Sequence, residues 1–247
     1  MGSTYERGFT IIETMLFLAI TGVLVVSILV GTGTSINIQR YRDSVISLQT
    51  TLQDQYSEVI NVRNTVSTAE LTCDDNANVT TNQSAPASPR GQDDCVVLGR
   101  YITTLNSSTL SIGTVIGYID PTIKLTSSDL ETLKLYKLNI IPASAEEYPI
   151  EWGASVHRAG SDTPLAFSLL ILRSPSSGIV RTFINPDTSV AVQNLTDLVT
   201  TDNLTQPLKA CVDAGGLFGT TKMAVSVVAG ATSTTGVEVL GDGSSGC

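Results

Sequence analysis

Positive charge is scarce in this chain. Lys and Arg number 14 against 23 Asp and Glu, a formal net charge of −9 over 247 residues. That balance excludes a protein whose whole surface attracts nucleic acid or anionic lipid, and no specific nucleic-acid site is evident. Charge of either sign is sparse as well, 15% of residues against about 25% in an ordinary soluble domain. Ser, Thr and Asn crowd the second half instead, a polar but uncharged surface suited to the outside of a cell. Histidine occurs once, as His157 in EWGASVHRAG. Without a GxSxG motif beside it, a histidine-based triad has no support, and it reads as a strand-end residue. Walker-type phosphate loops, HExxH and GxGxxG are missing too. No enzyme activity, cofactor or metal is expected.

Four cysteines, Cys73, Cys95, Cys211 and Cys247, show none of the CxxC spacings of zinc ribbons or redox sites. For a head outside the cytoplasm an even count favours two disulfides, with three pairings open. The neighbour pairs Cys73 with Cys95 and Cys211 with Cys247 are the expectation, the second tying down the chain end. Asp74-Asp75 and Asp93-Asp94 flank the first pair without the spacing of an EF-hand. They read as a solvated loop. Sequons at Asn78, Asn82, Asn106, Asn194 and Asn203 are chance matches in a Thr-rich chain, and Trp152 reads as a core anchor.

What the chain does have is a long apolar run. Met15 to Val30, MLFLAITGVLVVSILV, carries no charge, and only Thr21 and Ser27 are polar. Counted from Phe9 it extends about 22 residues interrupted by Glu13, close to the ~30 Å hydrocarbon thickness at 1.5 Å per residue. One membrane span is expected. A cleaved secretory signal fits poorly, since no small-x-small site follows and the helical pattern continues through GTGTSINIQRYRDS. An ordinary signal anchor leaves Glu13 unexplained, because an acid at the centre of a span costs about 2.5–3.5 kcal/mol and persists mainly for function.

Gly8-Phe9-Thr10-Ile11-Ile12-Glu13, after a polar leader and before the apolar run with Gly22, resembles the N-terminal signature of type IV prepilins and type II secretion pseudopilins. The resemblance covers about residues 1 to 40. It implies that a prepilin peptidase cuts between Gly8 and Phe9 and that the new Phe9 amine is N-methylated. It also implies inner-membrane anchoring with the head outside the cytoplasm, then assembly by the pilus machinery with other copies or related pilins into an extracellular filament for adhesion, motility or DNA uptake. Independently of that, cleavage would place a cation four residues before Glu13, on the same helical face. Pairing Glu13 with the Phe9 amine of a neighbouring copy would then mark the assembly register. Many pilins carry a proline near the end of the run, where this chain has Gly31-Thr32-Gly33. Two glycines, each about 1 kcal/mol weaker in a helix than alanine, are a candidate place for the helix to loosen. The leader is only weakly basic, and Arg40 and Arg42 lie beyond the span, a departure from the positive-inside tendency. A periplasmic pseudopilin, or an anchored periplasmic protein that never polymerises, are the alternative functions.

Beyond Gly33, apolar residues from Ile36 to Ile60 recur at three and four residue steps. One helix from Phe9 to about Asn64 would run about 84 Å. A separate coiled coil is the alternative. The expected organisation is a leader at 1–8, a membrane or filament-core half-helix at 9–33, an amphipathic half at 34–66, a surface loop at 67–94 and a β-rich head at 95–247. Strands are expected at Val96–Leu105, Leu110–Ile119, Glu151–Val156, Leu165–Leu172, Ile179–Ile184, Lys209–Asp213, Met223–Val228 and Val237–Leu240, with helices at Ser127–Lys137 and Val190–Val199. The class is α+β, an antiparallel sheet packed on the outer half of the helix. PLKACVDAGGLFGTTKMAVSV loosely resembles the closing hairpin of some minor pilins.

Overall fold

The computed structural model describes residues 10–61, 71–81, 95–124, 126, 128–214, 222–241 and 246–247. One helix, α1 (Ile11–Asn61), runs for 51 residues without interruption, about 77 Å at 1.5 Å per residue. Its two halves differ in what surrounds them. From Tyr41 onward the stripe Tyr41, Val45, Leu48, Leu52, Tyr56 and Val59 is buried, the spacing of one helical face. Before Asn37 nothing in the head covers it among the described residues.

The head is α+β. A short hairpin comes first, β1 (Leu71–Cys73) and β2 (Val79–Thr81). Then follow β3 (Cys95–Asn106), β4 (Thr109–Tyr118), α2 (Asp129–Lys134), β5 (Lys137–Ile140), β6 (Glu146–Pro149), β7 (Ser155–Arg158), β8 (Ser168–Arg173) and β9 (Val180–Asn185). A 3-10 stretch (Val192–Leu198), α3 (Thr201–Thr205), β10 (Leu208–Asp213), β11 (Met223–Val227) and β12 (Val237–Leu240) complete it. Pairing is antiparallel throughout, in a six-stranded sheet ordered β5-β4-β3-β8-β9 with β6 also on β4, and a four-stranded sheet ordered β12-β11-β10-β7.

Helix α1 packs where the two sheets meet. Its stripe joins Ile102, Leu169 and Ile171 of the larger sheet and Val156, Leu208 and Val225 of the smaller in one core. The opposite face of the larger sheet is covered too, with Tyr101, Leu170 and Phe183 against Leu133 of α2 and Leu195 and Leu198 of the 3-10 stretch. Burial on both faces explains why β8 reads SLLILR, with no polar alternation. Gly99 marks a bulge in β3, between register pairs Val97 and Gly99. A Cβ there would sit 1.8 Å from the Ile171 carbonyl oxygen, so a side chain would push β8 away.

Polar groups pin the helix at defined heights. Arg100, buried, donates from Nε to Gln55 Oε1 at 2.8 Å and from its guanidinium to Thr114 Oγ1 at 2.6 Å, with Glu58 3.1 Å away. A desolvated guanidinium is costly unless its donors are used, and here α1 and β4 use them. Tyr56, fully buried, bonds Thr182 Oγ1 at 3.0 Å, and that hydroxyl donates on to the Ala231 carbonyl at 2.6 Å.

Burial pushes the Tyr56 phenol from an ordinary 10.0 up to about 12, partly offset by its bond to Thr182. Above pH 10 the unfolded chain gives up this proton while the folded one keeps it, so stability present below pH 10 is lost as pH rises toward 12. At about 1.4 kcal/mol per unit the loss is about 2–3 kcal/mol. Urea unfolding near pH 8 and near pH 11 is expected to show about half of that fall, about 1.4 kcal/mol, in the parent and much less in Tyr56→Phe. Tyr136, also raised by desolvation, leaves the variant a residual slope. An equal fall in both proteins would refute the assignment.

The cysteines join as Cys73–Cys95 and Cys211–Cys247, with Cα atoms 6.1 and 5.8 Å apart. Closing a loop of 22 or 36 residues stabilises by roughly 3–4 kcal/mol in the chain-entropy description. The first bond ties the β1–β2 hairpin to β3.

Several expectations need correcting. The 67–94 segment is not simply loop, since β1 and β2 pair within it and dock on the head. Asp74 is exposed, as expected, but its carboxylate also organises the hairpin turn. Its Oδ1 accepts from the Asn76 and Asn78 backbone at 2.8 Å and its Oδ2 from Asn78 Nδ2 at 2.9 Å, which holds its carboxyl below the usual range. Lys137 and Asn139 of β5 then grip the hairpin through Asp75, Asn76 and Asn78. Asp93 and Asp94 lie outside the described residues. The Ser127–Lys137 helix shrinks to α2 because Lys137 starts β5, and Val190–Val199 is a 3-10 stretch. Glu151–Val156 divides into a 3-10 turn (Glu151–Gly153) and β7. Trp152 is not a core anchor: it is 53% exposed.

Candidate functional site

The first half of α1 is apolar on every side. Fourteen large apolar side chains between Ile11 and Val30 are exposed. Covering each would contribute about 1.5–3 kcal/mol, a total on the order of 20–40 kcal/mol. That exceeds the whole stability of a typical domain, about 5–15 kcal/mol. This half therefore has an environment that surrounds it, because a single flat partner would leave the far side bare. By length and composition it is the one helix among the described residues able to cross a membrane.

Its polar groups agree with a dry setting. Every hydroxyl between Thr14 and Ser35 donates back into the helix: Thr14 to Ile11, Thr21 to Phe17, Ser27 to Val23, Thr32 to Leu29, and both Thr34 and Ser35 to Gly31, with oxygens 2.8–3.1 Å apart. Such back-bonding leaves no hydroxyl in need of water.

Glu13 is the only charge between Thr10 and Gln39. It sits in the first turn, where the backbone N–H groups favour an anion. Its own N–H reaches the Thr10 carbonyl at 3.1 Å and Thr10 Oγ1 at 3.4 Å. Among the described residues no cation meets its carboxylate. Gly8 and Phe9, the expected cleavage and methylation positions, lie outside the described residues, as does the leader. Gly31 and Gly33 continue the helix. The Gly31 carbonyl takes two hydroxyl donors, and no neighbour comes within 4 Å of a Cβ built at either glycine. Both glycines are helical in the isolated chain; the loosening is expected only on passage from bilayer to filament.

His157 lies on β7 at the edge of the smaller sheet. The Asp162 carbonyl, 2.8 Å from Nδ1, makes that nitrogen the donor, so Nε2 accepts from Ser155 Oγ at 2.8 Å. A carbonyl rather than a carboxylate backs the ring, which straps the 158–163 turn. No group of three or more His, Cys, Asp or Glu side chains able to hold a metal occurs among the described residues.

Sequence reasoning missed the rim of the head. Tyr41 Oη donates to the Val212 carbonyl at 3.0 Å and accepts from the Met223 N–H at 2.6 Å, fixing β10 and β11 to α1. At the same height Arg40 stacks on Trp152, its guanidinium carbon 4.9 Å from the ring centroid. A lone Trp within EWGAS carries no signal of this. No protein-family model, curated protein or solved structure matches the chain.

Proposed function

We propose that this chain is a structural, non-catalytic subunit of a bacterial type IV pilus or a closely similar filament. The first half of α1 holds it in the inner membrane with the head outside the cytoplasm. On assembly that half passes into a filament core made by other copies or related pilins. One observation carries the reading: a single unbroken helix is bare and apolar on all sides up to Ser35, then clamped by a disulfide-bonded head from Tyr41 onward. Bilayer and filament core are the two settings that enclose such a rod completely. Glu13, lone in its half, supports the reading through the pairing that a cut before Phe9 would offer it.

A prepilin peptidase and the assembly machinery are the implied partners. Mass spectrometry of the chain recovered from its native membrane is expected to find the N-terminus at Phe9, methylated. An intact Met1 would sink the proposal.

A further inference from the structure

The rim of the head carries an unusual pair. Trp152, the only tryptophan in the chain, has φ 58° and is followed by Gly153 at φ 71°. A left-handed backbone at a bulky residue costs about 1–3 kcal/mol and persists where its surroundings over-determine it. Here they do. Ile150 and Ala154, on either side, are buried, and the Ile150, Ala154 and Val156 N–H groups bond the Ser108, Glu151 and Ser107 carbonyls. A strained, firmly held turn thus keeps a large aromatic ring out of the core and over α1.

The height of that ring is informative. No charged residue lies between Glu13 and Arg40, and Arg40 and Arg42 are then both exposed cations. Helical side chains lean toward the N-terminus, so the Arg40 guanidinium sits near the level of Ile36. That is about 9 Å beyond Val30, or about 8.5 Å along the membrane normal at a tilt of about 20°, which puts it at the outer edge of a headgroup layer about 5–7.5 Å deep. Ile36 and Ile38 are exposed at about its height. The indole covers one face of the guanidinium, and among the described residues Arg40 makes no hydrogen bond or ion pair. Its N–H fork is free for phosphate oxygens, and tryptophan is a ring that membrane interfaces favour.

We propose that Arg40 and Trp152 form a lipid-headgroup contact that seats the head on the outer leaflet, Arg40 binding phospholipid phosphate and Trp152 lying at the interface. The contact rests on the membrane-anchored part of the function proposed above and not on polymerisation. It sets the height and rotation of the head before assembly, which a span by itself does not.

Because Trp152 is the only tryptophan, intrinsic fluorescence of the full chain reads it directly. The chain is reconstituted in vesicles of phosphatidylcholine with phosphatidylglycerol, carrying a nitroxide either on the headgroup or deep in the acyl chain, and flotation confirms incorporation. Headgroup nitroxide is expected to quench at least about twofold more than the deep label. Arg40→Gln is expected to shift the docked-to-free ratio about fivefold in the anionic vesicles, and less in phosphatidylcholine alone. Chain that floats yet shows no headgroup quenching would overturn the contact and leave anchoring intact. Chain that does not float would overturn both. Protection of the ring that grows with protein density and ignores the lipid label would assign the pair to a second copy, and the lipid proposal would fall.

Discussion

A chain with Glu13 replaced by alanine is expected to reach the membrane at least as well as the parent and to enter filaments on the order of 100-fold less. Both directions follow from one cost. An unpaired charge at the centre of an apolar span is unfavourable by about 2.5–3.5 kcal/mol, a factor of roughly 70 to 400, and Glu13, in the first turn near the membrane surface, bears a smaller share of it in the bilayer. Removing Glu13 relieves that cost in the bilayer. In the proposed filament core it would strand the Phe9 amine of a neighbouring copy, which would then bear a similar penalty. Quantifying the subunit in membrane and sheared-filament fractions of one culture measures both. Equal incorporation of Glu13→Ala and parent would eliminate the register role, and Glu13→Asp, with its shorter reach, is expected to fall between them.

Tyr56→Ala is expected to cost the head about 3–5 kcal/mol, the range for removing a large buried ring. Against a typical 5–15 kcal/mol that is about a third or more of the stability of an average head, and most or all of it for one at the low end. The ring is fully buried where α1 meets both sheets, beside Leu52 and Val59. Tyr56→Phe separates packing from polarity. It keeps the ring, loses one hydrogen bond, and is expected to cost only about 1 kcal/mol, because Thr182 keeps its bond to Ala231. Urea unfolding of the detergent-solubilised chain gives both values, and an alanine variant no weaker than the phenylalanine one would show that the helix is held chiefly elsewhere.

Legibility in the sequence followed the range of the interactions responsible. Helix α1 and most long strands were readable because the signal is local: apolar spacing for Tyr41 to Val59, β-branched runs for β3, β4 and β11. Strands β5 and β6 were not. KLNI and EEYP are short and polar, and they are strands because β4 offers partners to both. The 190–199 segment has apolar residues for a helix, yet the sheet it covers draws it into a tighter 3-10 turn. Trp152 misled for a related reason: hydrophobicity favours burial, and only the turn between Ile150 and Ala154 shows that the ring is turned outward.

By itself the sequence determined that the chain has a membrane-grade N-terminal helix bearing one acid and that its head is α+β, since these depend on residue type and on spacing along the chain. Tertiary structure alone decided where the bare half of the helix ends and the clamped half begins. It also gave Arg100 its partners and set Arg40 on Trp152, whereas the cysteine pairing it shows is the one expected from the order of the cysteines. The contacts of Arg100 with Gln55 and of Arg40 with Trp152 join residues far outside one helical turn or hairpin, and no local pattern encodes which distant groups the two sheets bring together.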